Sequence, residues 1–379
     1  MVALPEVDPR SVEMDPDALA RVVAIFEAQH AEGLHPGAQL CVFRHGRCVL
    51  DRHIGVARRE TGEPVTAETL FLVFSASKPF GAMCIHKLAE AGELSLDDPV
   101  ARYWPEFAAN GKQAATIAHV LTHRVGIPLG PRWFTPDLWG DYAAGARAME
   151  ERVPRWPVGE EVGYHPLNWG WMVRELVRRV SGRKIGQYLR EEFLQPLGIR
   201  EAFLGLPAEY DQRVAHHHAL MPEAGADSAE AVVPGIELWN RPEVYRCEAP
   251  AANLIATARA LARFYVMLLN GGELAGVRVL QPETIRRATS EAVFANPDKT
   301  LGVPVRWAYG FHLGGGAGNP FGSLSSPSTF GHSGHGSTVA WGDPQRGAAY
   351  AYLTNGVRDR ASNTHRQVAL ADAVLSACR

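Results

Sequence analysis

Residues 71–92 read FLVFSASKPFGAMCIHKLAEAG. Four apolar residues, Phe71 to Phe74, form a short buried strand or the approach to a helix. The rest predicts a helix from Ser75 that stops at Gly92. Pro79 falls early enough in that helix to be tolerated. Ser75 and Lys78 stand three positions apart, so a helix puts them on one face. A serine hydroxyl is a weak nucleophile until a base takes its proton. A lysine amine is such a base once burial or a nearby cation lowers its pKa. The N–H groups at a helix start can stabilise a developing oxyanion. Ser77 is out of step with Lys78 and is expected to cap or line. Taken alone, the tetrapeptide reads more plainly as an ordinary capped helix with a surface lysine.

On the N-terminal side, Asp15 to Ala31 has apolar residues at helical spacing behind an acidic start. Gly37 to Ala57 holds two apolar runs on either side of His45-Gly46, which predicts a hairpin. On the C-terminal side, Ile117 to Leu121, Trp169 to Ser181 and Ala256 to Asn270 predict helices. The proline- and aromatic-rich loop Pro131 to Tyr142 lies among them. Strands return at Thr338 to Trp341 and Ala348 to Leu353, joined by the turn Asp343 to Gly347. A helix from Thr364 to Cys378 follows. Strands near both ends with helices between them imply an α/β fold, in which one sheet is completed by both halves of the chain. The expected single domain spans 1–379. Its α/β part covers roughly 1–90 and 270–379, and its mainly helical part covers roughly 91–269.

Two further segments carry chemistry. Tyr164 follows the turn Pro157-Val158-Gly159 and precedes a helix. A phenol beside an ammonium can exist as phenolate and pass protons; a tyrosine packed at a helix start is the plainer reading. Gly331-His332-Ser333-Gly334-His335-Gly336-Ser337 stands just before a strand. Its small residues would let a substrate approach an edge backbone, and an N–H there would donate to an oxyanion. A glycine-rich bulge with two exposed histidines fits as well.

The 379 residues are 46% hydrophobic and 21% charged, with a net charge of −3. That balance disfavours nucleic acid and anionic membrane as partners. No stretch of about 18 apolar residues or secretory signal is legible. The cysteines Cys41, Cys48, Cys84, Cys247 and Cys378 are odd in number and show no CxxC. They read as thiols in a reducing, cytoplasmic compartment. His216-His217-His218 suggests a metal, but neighbouring side chains of an extended segment diverge and no second ligand motif completes a site. His123 reads as structural. Gly314 to Gly318 fits no dinucleotide pattern, and no GxSxG is present. No metal or other cofactor is expected. Of Trp133, Phe134, Trp139, Tyr142, Trp169 and Trp171, at least half should be core and the rest could wall an acyl pocket.

Ser75-Ala76-Ser77-Lys78, then Tyr164, then His332-Ser333-Gly334 resembles the class C β-lactamase-like serine hydrolases, which include class C β-lactamases, D-alanyl-D-alanine carboxypeptidases and family VIII carboxylesterases. Leu94 to Val100, Leu121-Thr122-His123 with Gly126, and Phe330-Gly331-His332 with Asp343-Pro344 also resemble that family, over residues 20–375. The resemblance implies the β-lactamase/transpeptidase-like fold, an antiparallel sheet flanked by helices. Ser75 would be the acylated nucleophile, with Lys78 its activator and Tyr164 a proton carrier. His332, Ser333 and Gly334 would stand where relatives carry Lys-Thr-Gly. The N–H groups of Ser75 and His335 would form the oxyanion hole. Two departures favour esters over β-lactams. Pro166 replaces the family's asparagine, for which Asn168 is a distant substitute, and His332 replaces a permanent cation. A hydrogen bond from Tyr164 to neutral His332 would make activity fall through the histidine range, near ~6.5. A small-molecule carboxylic ester is the expected substrate. β-Lactamase, peptidase or transacylase activity at the same site, a scaffold without chemistry, and a homo-oligomer remain open.

Overall fold

A computed structural model describes residues 5–220, 235–316 and 319–379. The loop Gly314 to Gly318 therefore falls partly outside the described residues. Asp15 caps α1 (Pro16–Ala31) by accepting from the amides of Asp17 and Ala18. β1 (Gly37–Arg44) and β2 (Arg47–Arg58) form the expected hairpin. Its two turn residues, His45 and Gly46, both have positive φ (48° and 75°), as a two-residue turn between twisted strands requires. β3 (Glu63–Pro64) lies on the outer side of β2.

The other strands of this sheet come from the far end of the chain. They are β4 (Val293–Ala295), β5 (Val305–Trp307), β6 (His312–Leu313), β7 (Phe330–Gly334), β8 (Thr338–Asp343) and β9 (Ala348–Thr354). Among the described residues the order is β4-β5-β6-β7-β8-β9-β1-β2-β3, antiparallel throughout. The two halves meet where β1 pairs with β9, Ala38 opposite Thr354 through Arg44 opposite Ala348. Side chains alternate across this seam. Leu40, Val42, Trp341, Tyr350 and Tyr352 face α1 and the last helix, α7 (Arg360–Ala377). Cys41, Phe43, Ala340, Ala349, Ala351 and Leu353 face the main core. There α2 (Lys78–Glu90) and α6 (Ala258–Leu269) pack, α6 capped by the Thr257 hydroxyl. α3 (Ile117–Leu121), α4 (Tyr142–Glu150) and α5 (Asn168–Ser181) build the helical region between the sheet halves. No described helix is long and apolar enough to cross a membrane.

Three expectations change. Only Phe71–Leu72 is a strand of the apolar run, and it pairs with Ile255–Ala256 in a small separate sheet. The helix does not begin at Ser75: Phe74–Ser77 is a 3-10 turn, and α2 begins at Lys78. The triplet His332-Ser333-Gly334 is not a bulge before a strand but the body of β7, inside the sheet. It is nevertheless a local edge. β6 pairs only with Phe330 and Gly331, so the ladder on that side ends before His332.

Candidate active site

Phe74 holds a left-handed conformation, φ 48°. A residue with a Cβ pays roughly 1–3 kcal/mol for that. Packing holds it there: the Phe74 ring lies against His217 at 4.8 Å, Trp239 at 5.2 Å and His335 at 5.7 Å. The twist turns the chain from the small sheet into the 3-10 turn and leaves Ser75 half-buried. Ser77 ties the turn down, donating to the Phe74 carbonyl and accepting from the Leu254 amide at 2.9 Å. It staples the nucleophile turn to the segment that also carries Ala251.

Lys78 is 1% exposed. Its Nζ lies 3.1 Å from Ser75 Oγ, 2.8 Å from Tyr164 Oη, 2.9 Å from the Pro166 carbonyl and 3.0 Å from the Ala251 carbonyl. Burial drives its pKa well below the usual lysine value. A neutral amine has two hydrogens and one lone pair. The two carbonyls, which only accept, use the hydrogens. The lone pair is then left to the two hydroxyls.

Tyr164 Oη donates to Ser75 Oγ at 2.7 Å. Burial pushes this phenol above its ordinary range, so it rests protonated rather than as the phenolate considered from sequence. Its ring lies parallel to Trp307, 2° between planes at 5.5 Å, and against His123 at 4.8 Å. Its amide donates to both oxygens of Asp298, at 2.9 and 3.0 Å. His123 Nδ1 accepts from the His165 amide at 3.2 Å and its carbonyl accepts from Gly163, so it holds the tyrosine segment from below.

His332 Nδ1 donates to the Ser333 carbonyl at 2.7 Å, which leaves Nε2 as the acceptor nitrogen. That nitrogen is buried without a partner. The expected bond from Tyr164 is therefore absent, because the phenol is engaged with Ser75. Burial pushes His332 well below 6.5. Gly334 is small for a visible reason: a Cβ there would come within 2.2 Å of the Val73 carbonyl. This close approach sets the end of β7, and with it His335, against the nucleophile turn.

Ser75, Lys78 and Tyr164 are thus brought together, with His332 behind the tyrosine ring and the end of β7 alongside. Asn168 does not replace the missing asparagine: its amide donates to the Ile127 carbonyl at 2.7 Å inside the core. Pro166 contributes its carbonyl instead. His217 Nε2 donates to the Leu72 carbonyl, 2.9 Å away, and the ring packs on Phe74, while His216 faces Glu60 at 3.7 Å. Of the six aromatics, Phe134, Trp139, Trp169 and Trp171 are core. Sequence reasoning missed Asp298, Trp307 and the carbonyls of Pro166 and Ala251. The first lies in a segment, Asn296-Pro297-Asp298, that reads as a plain turn; carbonyl acceptors have no sequence signal at all.

Residues 22–374 match the Beta-lactamase family, and the chain belongs to it. It is similar to the esterase/beta-lactamase LipL of Mycobacterium tuberculosis, 34% identical over 357 residues, which are 89% of this chain and 81% of LipL. Among solved structures it is similar to a penicillin-binding protein homolog from Caulobacter crescentus, with a TM-score of 0.86, 34% identity, and coverage of 96% of this chain and 98% of that one. A family VIII carboxylesterase aligns with a TM-score of 0.82 at 28% identity, over 94% of this chain and 98% of its own. The fold is the β-lactamase/transpeptidase-like one, and the chain is a serine hydrolase of this superfamily.

Proposed function

We propose that the chain is a carboxylesterase that acylates Ser75 and then transfers the acyl group to water. The observation that carries this reading is Ser75 Oγ within hydrogen-bond reach of both a burial-neutralised Lys78 and a protonated Tyr164. Lys78 takes the Ser75 proton as Oγ attacks the ester carbonyl. The tetrahedral oxyanion is held by the Ser75 and His335 amides, since the approach of Gly334 to the Val73 carbonyl brings the end of β7 to the nucleophile turn. The departing alkoxide takes the Tyr164 proton, and the Lys78 ammonium returns one to the phenolate. Water then repeats the sequence: it attacks the acyl carbon and passes a proton to the same pair, and Ser75 leaves as the hydroxyl. The site would lie between the sheet part (roughly 1–90 and 270–379, with α6 packed on it) and the mainly helical part (roughly 91–257). Five free thiols support a reducing, cytoplasmic setting.

Two features support esters over β-lactams. His332 supplies no fixed positive charge where a carboxylate would bind, and the Asn168 amide is committed to Ile127. The test compares wild type with Ser75→Ala on p-nitrophenyl butyrate and nitrocefin, with mass spectrometry for the adduct. Ester turnover with an acyl mass on Ser75, lost in the variant, is expected. Faster nitrocefin turnover would replace the reading with a β-lactamase, and ester product formed with an added alcohol would mark a transacylase. Turnover surviving in Ser75→Ala would refute it.

A further inference from the structure

Tyr164 lies in an irregular stretch between Gly163 and α5, outside regular secondary structure. Its hydroxyl must nonetheless stay 2.7 Å from Ser75 and 2.8 Å from Lys78. What fixes it comes from 134 residues further on. The carboxylate of Asp298 is fully buried. Among the described residues no ion pair neutralises it. Its partners are N–H donors: Tyr164 through both oxygens, Thr300 and Leu301 at 2.9 Å each, and the Trp307 indole at 3.4 Å. The same loop is sewn to the tyrosine segment again, where the Lys299 amide donates to the Val162 carbonyl at 2.9 Å.

A buried carboxylate without a cation is costly unless several donors satisfy it. Here the donors are the tyrosine's own backbone and the edge of the ring on which the tyrosine lies flat. One side chain therefore sets both the height of the Tyr164 backbone and the plane of its ring. An apolar residue could fill this space. It could not pull the Tyr164 amide and the Trp307 indole to one point.

Resting on the assignment of Tyr164 as proton carrier, we infer that Asp298 is the positioning residue of this active site, holding the Tyr164 hydroxyl in register with Ser75 and Lys78. It touches neither substrate nor the reacting atoms. Asparagine in its place swaps one acceptor for a donor that faces other donors. Tyr164 must then shift, and misplacement of a reacting group by about 1 Å costs on the order of 100-fold in rate.

The experiment is a double-mutant cycle on p-nitrophenyl butyrate with Asp298→Asn and Tyr164→Phe, thermal melts being recorded for every variant. Asp298→Asn alone should lower kcat by ~10- to 100-fold with KM within about twofold. In the Tyr164→Phe background it should cost less than about twofold, because the hydroxyl it positions is already gone. Asp343 is the control. It is equally buried, binding the Thr329 hydroxyl at 3.0 Å and Arg346 at 2.9 Å in the β8–β9 turn; Asp343→Asn should lower the melting temperature and leave kcat alone. An equal kcat loss in both tyrosine backgrounds, or none in either, overturns the inference while leaving Tyr164 in its role. Full activity of Tyr164→Phe by itself would instead remove the tyrosine assignment and this inference with it. Should Asp298→Asn fail to fold, Asp298→Glu takes its place in the cycle with the same expectations, since it keeps the charge but displaces the amide by a methylene.

Discussion

Two lysines of this protein are buried, and they are used in opposite ways. Lys112 is 0% exposed and its Nζ donates to three carbonyls, those of Ala109 at 2.7 Å, Glu150 at 2.9 Å and Arg152 at 2.6 Å. Lys78 is as buried, but it meets two carbonyls and two hydroxyls. Burial lowers both pKa values, that of Lys112 to about 8 and that of Lys78 well below its ordinary range. A depressed pKa alone therefore does not single out the lysine proposed for catalysis. Three acceptor-only partners consume every hydrogen of an ammonium and reward the charged form. Two such partners leave a neutral amine with a lone pair that has only hydroxyls to meet.

The comparison breaks first at activity. Lys78→Met should lower kcat/KM by roughly 1,000-fold or more, at the upper end of what a proton-transfer group contributes, with a native circular dichroism spectrum. If that variant hydrolyses p-nitrophenyl butyrate at the wild-type rate, the two lysines do not differ in kind. Lys112→Met should do the reverse. It orphans buried carbonyls and should cost about 1–3 kcal/mol in denaturant unfolding, at unchanged kcat per folded molecule.

The lysines also differ in what pH does to them. Between about 8 and 10.5 the unfolded chain holds a proton at Lys112 that the folded chain has released. Stability from this group therefore rises with pH through that window. The stability gap between wild type and Lys112→Met should widen from pH 8 to pH 10; a gap that narrows would mean that Lys112 stays charged when folded. For Lys78 the readout is kcat/KM, which should hold at neutral pH and drop on acidification as the amine is protonated. The smallest effect belongs to His332. Because it is already neutral and makes no hydrogen bond to Tyr164, His332→Gln should leave that acid limb in place. A limb displaced by a full unit would restore the histidine to the proton path.

How much was legible in the chain depends on how far apart the cooperating atoms lie. Ser75 and Lys78 could be paired from spacing because three positions of any helical turn share a face, even though the turn proved to be 3-10. The hairpin at His45-Gly46 and the acidic start of α1 at Asp15 were readable for the same local reason, whereas the Thr257 cap was not, because the spacing put Ala256 at the start of that helix. Tyr164 was singled out beside a plainer packing role, and only family resemblance lifted it. β4, β5 and β6 are two or three residues long, too short for any period to register. The proposed bond between Tyr164 and His332 failed because residue types do not reveal which of two nearby hydrogen-bond partners a phenol will choose.

The sequence by itself determined the local conditions of the chemistry: a serine and a lysine on one face of a turn, a tyrosine at a helix entry, and a glycine-rich segment beside a strand. Only the tertiary structure decided that Lys78 is desolvated and its pKa depressed, that Tyr164 rests as a phenol, that β7 ends as a local edge, and that the Asp298 carboxylate accepts from the Tyr164 amide. The physical reason is range. Backbone sterics and helical spacing act over a few residues, whereas desolvation and buried hydrogen bonding depend on which distant segments exclude water from the same point.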